Sequence, residues 1–132
     1  MHSPESCNPH ILVVDDDLLT REVLSLVLGA EGYRVTTADD GLAALDQLHH
    51  GEHPDLIVLD LMMPVMDGWQ FREEQLGDAQ LADIPVIVCS AAGRDGQHDT
   101  DLHAAAYLDK PVEPRELVAL VHRSFEGMRD EG

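Results

Sequence analysis

The sequence predicts an α/β protein whose parallel β-sheet is covered by helices on both faces. Apolar runs at residues 11–14, 56–59 and 86–89 contain no polar side chain, which is typical of short strands that are buried on both sides. Segments with helical periodicity separate these runs, and the connections are short, as in proteins with a parallel sheet. The chain has 132 residues, a length that fits one domain with an ordinary hydrophobic core.

Strand, helix, strand and helix follow one another in the first half of the chain. After the strand at 11–14, residues 18–30 predict a helix, and the acids that precede it suit the helix dipole. Residues 33–38 alternate apolar and polar side chains, which predicts an edge strand with one wetter face. A second helix is predicted at 42–48. The apolar stripe expected on the first helix consists of Leu19, Val23, Leu26, Val27 and Ala30.

The second half of the chain continues the alternation. Its predicted strands lie at 56–59, 86–89 and 107–109, and its predicted helices at 69–76, at 99–105 and from Pro114 onwards. The helix at 99–105 is short because the preceding segment is polar and contains two glycines. These boundaries predict a flexible tail at 1–8, one domain at 9–127 and a C-terminal tail at 128–132.

The charge of the chain limits its partners. Eight Lys and Arg residues against 26 Asp and Glu residues give a formal net charge of −18. Direct binding to nucleic acid or to an anionic membrane is not expected, since both need clustered basic side chains. No apolar run reaches the roughly 18 residues of a membrane span, and the N-terminus lacks the pattern of a signal peptide. A cytoplasmic protein is therefore expected.

Polar side chains follow four of the predicted strands, at the point where each strand ends. They are Asp15 and Asp16, then Asp60, then Ser90, then Lys110. Because the carboxyl ends of parallel strands meet at one edge of the sheet, we expect these groups to be neighbours. Carboxylates that share a pocket resist ionisation unless a cation compensates them. An oxygen-only donor set favours Mg²⁺ over softer metals.

The same groups provide what phosphoryl transfer requires. A carboxylate supplies a nucleophile, and a lysine ammonium and a hydroxyl supply donors to phosphate oxygens. Residues 11–16, 59–68, 84–91 and 107–111 (ILVVDD, LDLMMPVMDG, IPVIVCSA and YLDKP) together resemble the receiver domain of two-component response regulators, including chemotaxis regulators. The resemblance implies a flavodoxin-like (βα)5 fold, a doubly wound parallel sheet with strand order 2-1-3-4-5.

The resemblance also implies a site centred on Asp60. This residue would accept a phosphoryl group from a histidine kinase or a histidine phosphotransfer protein. Asp16 and Asp60 would bind Mg²⁺ directly and Asp15 directly or through water, with the backbone carbonyl of Met62 as a further ligand. The chain would then be a regulatory phosphoacceptor that catalyses only its own phosphorylation and dephosphorylation.

Three further residues have roles implied by the resemblance. Lys110 would pair with the phosphate, and its peptide bond to Pro111 would be cis. Ser90 and Tyr107 would form the switch: the hydroxyl moves toward the phosphate and the aromatic ring rotates inward. This movement would remodel the face formed by the helix at 99–105, the fifth strand and the last helix, and so change the binding of a downstream effector.

The sequence departs from the family pattern in one region. The interval from Ser90 to Lys110 is about two residues shorter than usual, and the short helix predicted there is expected to become ordered when Asp60 is modified. No output domain is expected after the last helix, so we expect either a stand-alone receiver or an excised domain.

Two other functions compete with the receiver interpretation. One is a scaffold that keeps the fold but works without phosphorylation, and the other is a phosphohydrolase with an aspartyl nucleophile. Such hydrolases commonly carry a second Asp two residues after the nucleophile, where this chain has Met62.

Overall fold

The computed structural model describes residues 8–51, 53–90 and 103–131. Within these residues the chain forms a five-stranded sheet in the order β2-β1-β3-β4-β5, and every strand pair is parallel. The strands are β1 (His10–Val14), β2 (Arg34–Ala38), β3 (Leu56–Asp60), β4 (Val86–Ser90) and β5 (Ala106–Asp109). The helices are α1 (Leu18–Ala30), α2 (Gly41–His50), α3 (Gly68–Leu76) and α4 (Pro114–Glu131). The predicted α/β fold and strand order are confirmed.

The centre and the edge of the sheet differ in the way the sequence predicts. β1 and β3 lie in the centre, and all of their residues are buried. β2 lies at the edge, where exposed and half-buried residues alternate from Arg34 to Thr37. The all-apolar runs therefore correspond to central strands, and the alternating run corresponds to a strand with one wet face.

Two hydrophobic cores cover the two faces of the sheet. Successive residues of a strand point to opposite faces, so Leu12 and Val14 of β1 belong to one core and Ile11 and Val13 belong to the other. The first core is completed by α2 and α3, through Ala44, Leu45, Leu48 and Phe71. The second core is completed by α1 and α4, through Leu24, Leu28, Leu117 and Val121.

Helix α1 has the predicted bounds, but the predicted apolar face is wrong. Leu24 and Leu28, which are 3% and 0% exposed, face the sheet, whereas Leu19 and Leu26 are 68% and 74% exposed. Val23 is also exposed. The helix contains enough apolar residues to form two stripes of helical spacing, and periodicity alone does not decide which stripe meets the strands.

Three helices begin with the same cap. α1, α2 and α3 each follow an aspartate whose carboxylate accepts a hydrogen bond from a backbone amide of the first turn. The capping residues are Asp17, Asp40 and Asp67, and the donors are Thr20, Ala43 and Gln70. These caps offset the unpaired amides at each helix start, so part of the negative charge of the chain stabilises its helices.

The remaining boundaries concern the ends of the chain and the segment before β5. Residues 1–7, most of the tail predicted at 1–8, lie outside the described residues, as do 99–102 of the predicted short helix. Residues 103–105 of that helix are described and are not helical, because their backbone groups already pair with neighbouring parts of the fold. Helix α4 includes residues 128–131 of the predicted C-terminal tail.

Among the described residues, no helix combines the length and apolar character needed to cross a membrane.

Candidate functional site

The carboxyl ends of β1, β3 and β5 bring three charged side chains into contact. Asp15 follows β1, Asp60 ends β3 and Lys110 follows β5. The Lys110 Nζ lies 2.8 Å from Asp15 Oδ2 and 3.4 Å from Asp60 Oδ1. Both aspartates are 3% exposed. The structure thus confirms that residues 95 positions apart in the sequence share one pocket at this edge of the sheet.

Asp15 is fixed on several sides. Its Oδ1 accepts a hydrogen bond from the Asp17 amide at 2.9 Å, while its backbone oxygen accepts one from the Arg21 side chain at 2.7 Å. Its amide donates to the Ala38 oxygen at 3.1 Å, which continues the β1–β2 pairing by one residue. The position of this carboxylate is therefore set by the backbone of two strands and the start of α1.

The environment of Asp60 makes ionisation difficult. Burial is the main cause, and the charge of Asp15 adds to it; together they raise the pKa of Asp60 to about 6. The Lys110 ammonium and the Met62 amide act in the opposite direction, the amide donating to Asp60 Oδ1 at 3.4 Å. A buried carboxylate with this pKa is a common property of functional sites.

Lys110 is the cation of the pocket. Burial alone would lower its pKa, but the hydrogen bond to Asp15 and the charges of Asp60 and Asp15 outweigh burial, so the pKa is raised. The ammonium is therefore charged at neutral pH. The Lys110–Pro111 peptide bond is cis, as the resemblance to receiver domains implies.

Three carboxylates of the pocket fit a hard metal ion. One oxygen from each of Asp15, Asp16 and Asp60 lies within 4.8 Å of the others. Lys110 is a single positive charge beside these three carboxylates, and the charge of Asp15 adds to the effect of burial in raising the pKa of Asp60. A divalent cation would correct this imbalance of charge, and an all-oxygen donor set is the type that hard divalent cations prefer.

The loop between β3 and α3 contains two features that sequence reasoning missed. A Cβ atom added at Gly68 would lie 2.5 Å from the backbone oxygen of Asp60, so only glycine fits against the end of β3. Val65 has φ 69°, and across it the Met66 amide donates to the Pro64 oxygen at 2.7 Å. This γ-turn with positive φ is rare and strained, particularly for a β-branched residue. The sequence signal for the first feature is the Asp67-Gly68 pair at the start of α3, whereas nothing in the sequence marks Val65.

The other predicted site residues occupy the expected elements. Ser90 is the last residue of β4 and is paired in register with Asp109 of β5. Tyr107 lies in β5, is 39% exposed, and its hydroxyl accepts a hydrogen bond from the Ala104 amide at 3.3 Å. The side chain of Met62 is 55% exposed. The roles predicted for Ser90, Tyr107 and the Met62 carbonyl remain predictions.

Comparison with known proteins gives a consistent result. The chain matches the family model of the response regulator receiver domain over residues 11–122. The probable transcriptional regulator ycf27 of Guillardia theta is 40% identical over 113 residues, which make up 84% of this chain and 43% of that protein. The two-component response regulator ORR3 of Oryza sativa subsp. indica is 35% identical over 117 residues, or 87% of this chain and 89% of that protein.

Solved structures agree with the sequence relatives. The chemotaxis response regulator CheY4 of Vibrio cholerae superimposes with a TM-score of 0.81 at 30% identity, covering 88% of this chain and 98% of that one. The chain spans less than half the length of the ycf27 relative, whereas it covers most of ORR3 and of CheY4. The family model, these relatives and the shared fold show that the chain belongs to the response regulator receiver domain family.

Proposed function

We propose that this protein is the phosphoacceptor module of a two-component phosphorelay, with Asp60 as the residue that is phosphorylated. The observation that carries the proposal is the contact of Lys110 with both Asp15 and Asp60 in a buried pocket. A structural ion pair needs one carboxylate, and two buried carboxylates beside one ammonium carry an uncompensated negative charge. An anionic pocket of this kind is suited to a metal ion and the phosphoryl group that the ion accompanies.

Asp60 is the group best placed to act as the nucleophile. Its pKa of about 6 leaves the carboxylate ionised at neutral pH, so that an oxygen lone pair is available. In the transfer, this oxygen forms a bond to phosphorus while the bond between phosphorus and the donor's histidine nitrogen breaks, and the nitrogen keeps the electron pair. The product is an acyl phosphate on Asp60.

Asp15, Asp16 and Asp60 would hold Mg²⁺, with the backbone carbonyl of Met62 as a further ligand. When bound, the ion supplies positive charge that stabilises the phosphoryl oxygens in the transition state. The protein keeps Asp15 in position through the amide of Asp17 and through Lys110. The pocket is thus organised by the chain itself.

Lys110 and Ser90 would act on the phosphoryl group after transfer. The ammonium lies 3.4 Å from Asp60 Oδ1, close enough to reach oxygens added at that carboxylate. The hydroxyl of Ser90, at the end of the neighbouring strand, would donate to the same group. Tyr107 would then rotate inward, and the change at β5 and α4 would alter binding to a downstream effector or output domain.

The proposed partners follow from this chemistry. A histidine kinase or a histidine phosphotransfer protein would supply the phosphoryl group in the cytoplasm. The net charge of −18 favours partner surfaces that carry basic residues.

The proposal is tested by the mass of the intact protein after incubation with Mg²⁺ and acetyl phosphate. The wild type is expected to gain one phosphoryl group, and Asp60→Asn is expected to gain none. Asp46→Asn is the matched control, because the side chain of Asp46 lies on α2 and is 73% exposed; this variant should be phosphorylated like the wild type.

Two results would contradict the proposal. A folded wild type that gains no phosphoryl group from acetyl phosphate or from a histidine phosphotransfer protein would favour the phosphorylation-independent scaffold. A phosphoryl group on Asp60→Asn would place the acceptor elsewhere.

A further inference from the structure

Arg72 of α3 is a charged residue that is only 5% exposed. Its Nη1 donates to the Gln75 side-chain oxygen at 2.7 Å, and its Nη2 donates to the backbone oxygen of His103 at 3.0 Å. Gln75 is fully buried and donates to the backbone oxygens of Leu81 at 2.8 Å and Ile84 at 3.0 Å. The buried guanidinium therefore connects α3 with the chain that leads into β4 and with the chain that leads into β5.

Three consecutive backbone groups ahead of β5 are held by three different parts of the domain. The His103 oxygen accepts from Arg72. The Ala104 amide donates to the hydroxyl of Tyr107 at 3.3 Å, and the Ala105 amide extends the pairing with β4 at 2.8 Å. The hydroxyl of Tyr107 thus binds the backbone directly beside the carbonyl that Arg72 holds.

The conformation of His103 requires this support. Its φ of 52° is in the left-handed region, which costs about 1 kcal/mol or more for a residue other than glycine and persists only where the surroundings enforce it. Arg72 supplies a charge-assisted hydrogen bond in a buried place, where such bonds are strong and their loss is costly. The segment is therefore held by the guanidinium against its own backbone preference.

We infer that Arg72 is a positioning residue for Tyr107, because it holds residues 103–105 where the Ala104 amide meets the tyrosine hydroxyl. In this arrangement the hydrogen bond keeps the ring in its half-exposed position. Loss of Arg72 frees the backbone, weakens the hydrogen bond to the hydroxyl and allows the ring to move. The inference rests on the proposed function in one respect, the rotation of Tyr107 on phosphorylation.

The expected effect is a change in the population of the two ring positions. Without Arg72, the ratio of inward to outward ring in the unphosphorylated protein rises about tenfold, equivalent to about 1.4 kcal/mol. Phosphorylation then produces a smaller further increase in the population of the inward ring position. Phosphorylation of Asp60 itself should proceed, since the two groups that Arg72 holds, the Gln75 side chain and the His103 oxygen, are not part of the acidic pocket.

The experiment follows the ring signals of tyrosine by NMR. The chain contains two tyrosines, so a Tyr33→Phe background with ring-¹³C tyrosine reports on Tyr107 alone. Spectra are recorded before and after phosphorylation with acetyl phosphate, and intact mass measures phosphorylation in the same samples. The variants are Arg72→Met, which keeps the length and loses the charge, and Arg72→Lys, which keeps the charge and loses the second donor. Arg123→Met is the matched control on the surface of α4.

The unphosphorylated Arg72→Met protein should give a Tyr107 signal displaced toward that of phosphorylated wild type. Arg72→Lys should lie between them, and Arg123→Met should match the wild type. If Arg72→Met does not fold, the Tyr107 signal of Arg72→Lys is compared with that of the wild type and tests the inference without it. A lower unfolding midpoint with an unchanged Tyr107 signal would reduce Arg72 to a structural residue and overturn the inference.

The outcome also separates the inference from the proposed function. A wild type that gains the phosphoryl mass and shows a shifted Tyr107 signal supports the proposed function, whatever the Arg72 variants do. A wild type that gains the mass without any change at Tyr107 overturns the inference while leaving phosphorylation at Asp60 intact.

Discussion

Replacing Asp60 with Asn is expected to make the metal-free protein increasingly more stable than the wild type as the pH rises from 4 to 8. The pKa of Asp60 is raised from 3.8 to about 6 by burial and by the charge of Asp15, so the folded protein holds this proton more tightly than the unfolded chain does. The resulting contribution to stability is complete below pH 3.8 and is lost as the pH rises through about 6. Asn keeps the size of the side chain and has no proton to lose.

The magnitude follows from the rise in pKa. From 3.8 to about 6, at about 1.36 kcal/mol per pKa unit, the full loss is about 3 kcal/mol. Because an unfolded aspartate is already partly ionised at pH 4, the advantage of the variant should grow by about 2 kcal/mol between pH 4 and pH 8. The variant does not leave Lys110 without a partner, since the ammonium keeps its 2.8 Å contact with Asp15.

The measurement is urea unfolding in EDTA, followed by the fluorescence of Trp69, the single tryptophan, which packs against the core beneath α3. Asp17→Asn is a control with the opposite sign, because hydrogen bonds from Thr20 lower the pKa of Asp17 and its contribution is lost as the pH falls. If the difference between Asp60→Asn and wild type stayed constant from pH 4 to pH 8, the account of Asp60 as a carboxyl whose ionisation is opposed by burial and by the charge of Asp15 would be refuted.

Three further substitutions test the fold around the site by urea unfolding. Gly68→Ala should destabilise the protein by about 1–3 kcal/mol, because the added Cβ would lie 2.5 Å from a backbone oxygen of β3. Gly77→Ala is the control and should have little effect, since the nearest atom to its added Cβ lies at 3.5 Å. Equal effects of the two substitutions would contradict the close approach at Gly68. Leu28→Ala should lower the free energy of unfolding by about 2–5 kcal/mol, and Leu26→Ala by less than about 0.5 kcal/mol. The reverse order would show that the apolar face predicted from the sequence is the one that packs on the sheet. Val65→Gly should relieve backbone strain of about 1–3 kcal/mol. Glycine also gains conformational freedom in the unfolded chain, which lowers stability by about 0.5–1 kcal/mol, so a net rise in the unfolding midpoint is expected. A lower midpoint would show that the valine side chain stabilises the loop.

Strand order and the acidic pocket could be predicted because they depend on patterns of residue type. A run without polar residues has one place in a parallel α/β sheet, the centre, and an alternating run belongs at an edge. The end of each strand then determines which side chains meet, so Asp15, Asp60 and Lys110 could be grouped before any distance was known.

The features that escaped prediction depend on relations between segments. Leu24 and Leu19 have the same chemistry and equivalent helical spacing, and only the strands beneath α1 determine which one is buried. Nothing in the sequence around Arg72 distinguishes it from a solvated arginine, because its hydrogen bond is to the His103 carbonyl 31 positions later. Val65 has a positive φ, which a sequence does not indicate at a β-branched residue.

The ion pair between Lys110 and Asp15 has a consequence for the sensitivity of the pocket. The ammonium is a tethered counter-ion, held 2.8 Å from the carboxylate by the fold, and its effective concentration there is far above that of any ion in solution. A metal ion bound at Asp15 and Asp60 would have to compete with this ammonium. If the site binds such an ion, shortening or removing the lysine side chain would lower the metal concentration needed to fill it.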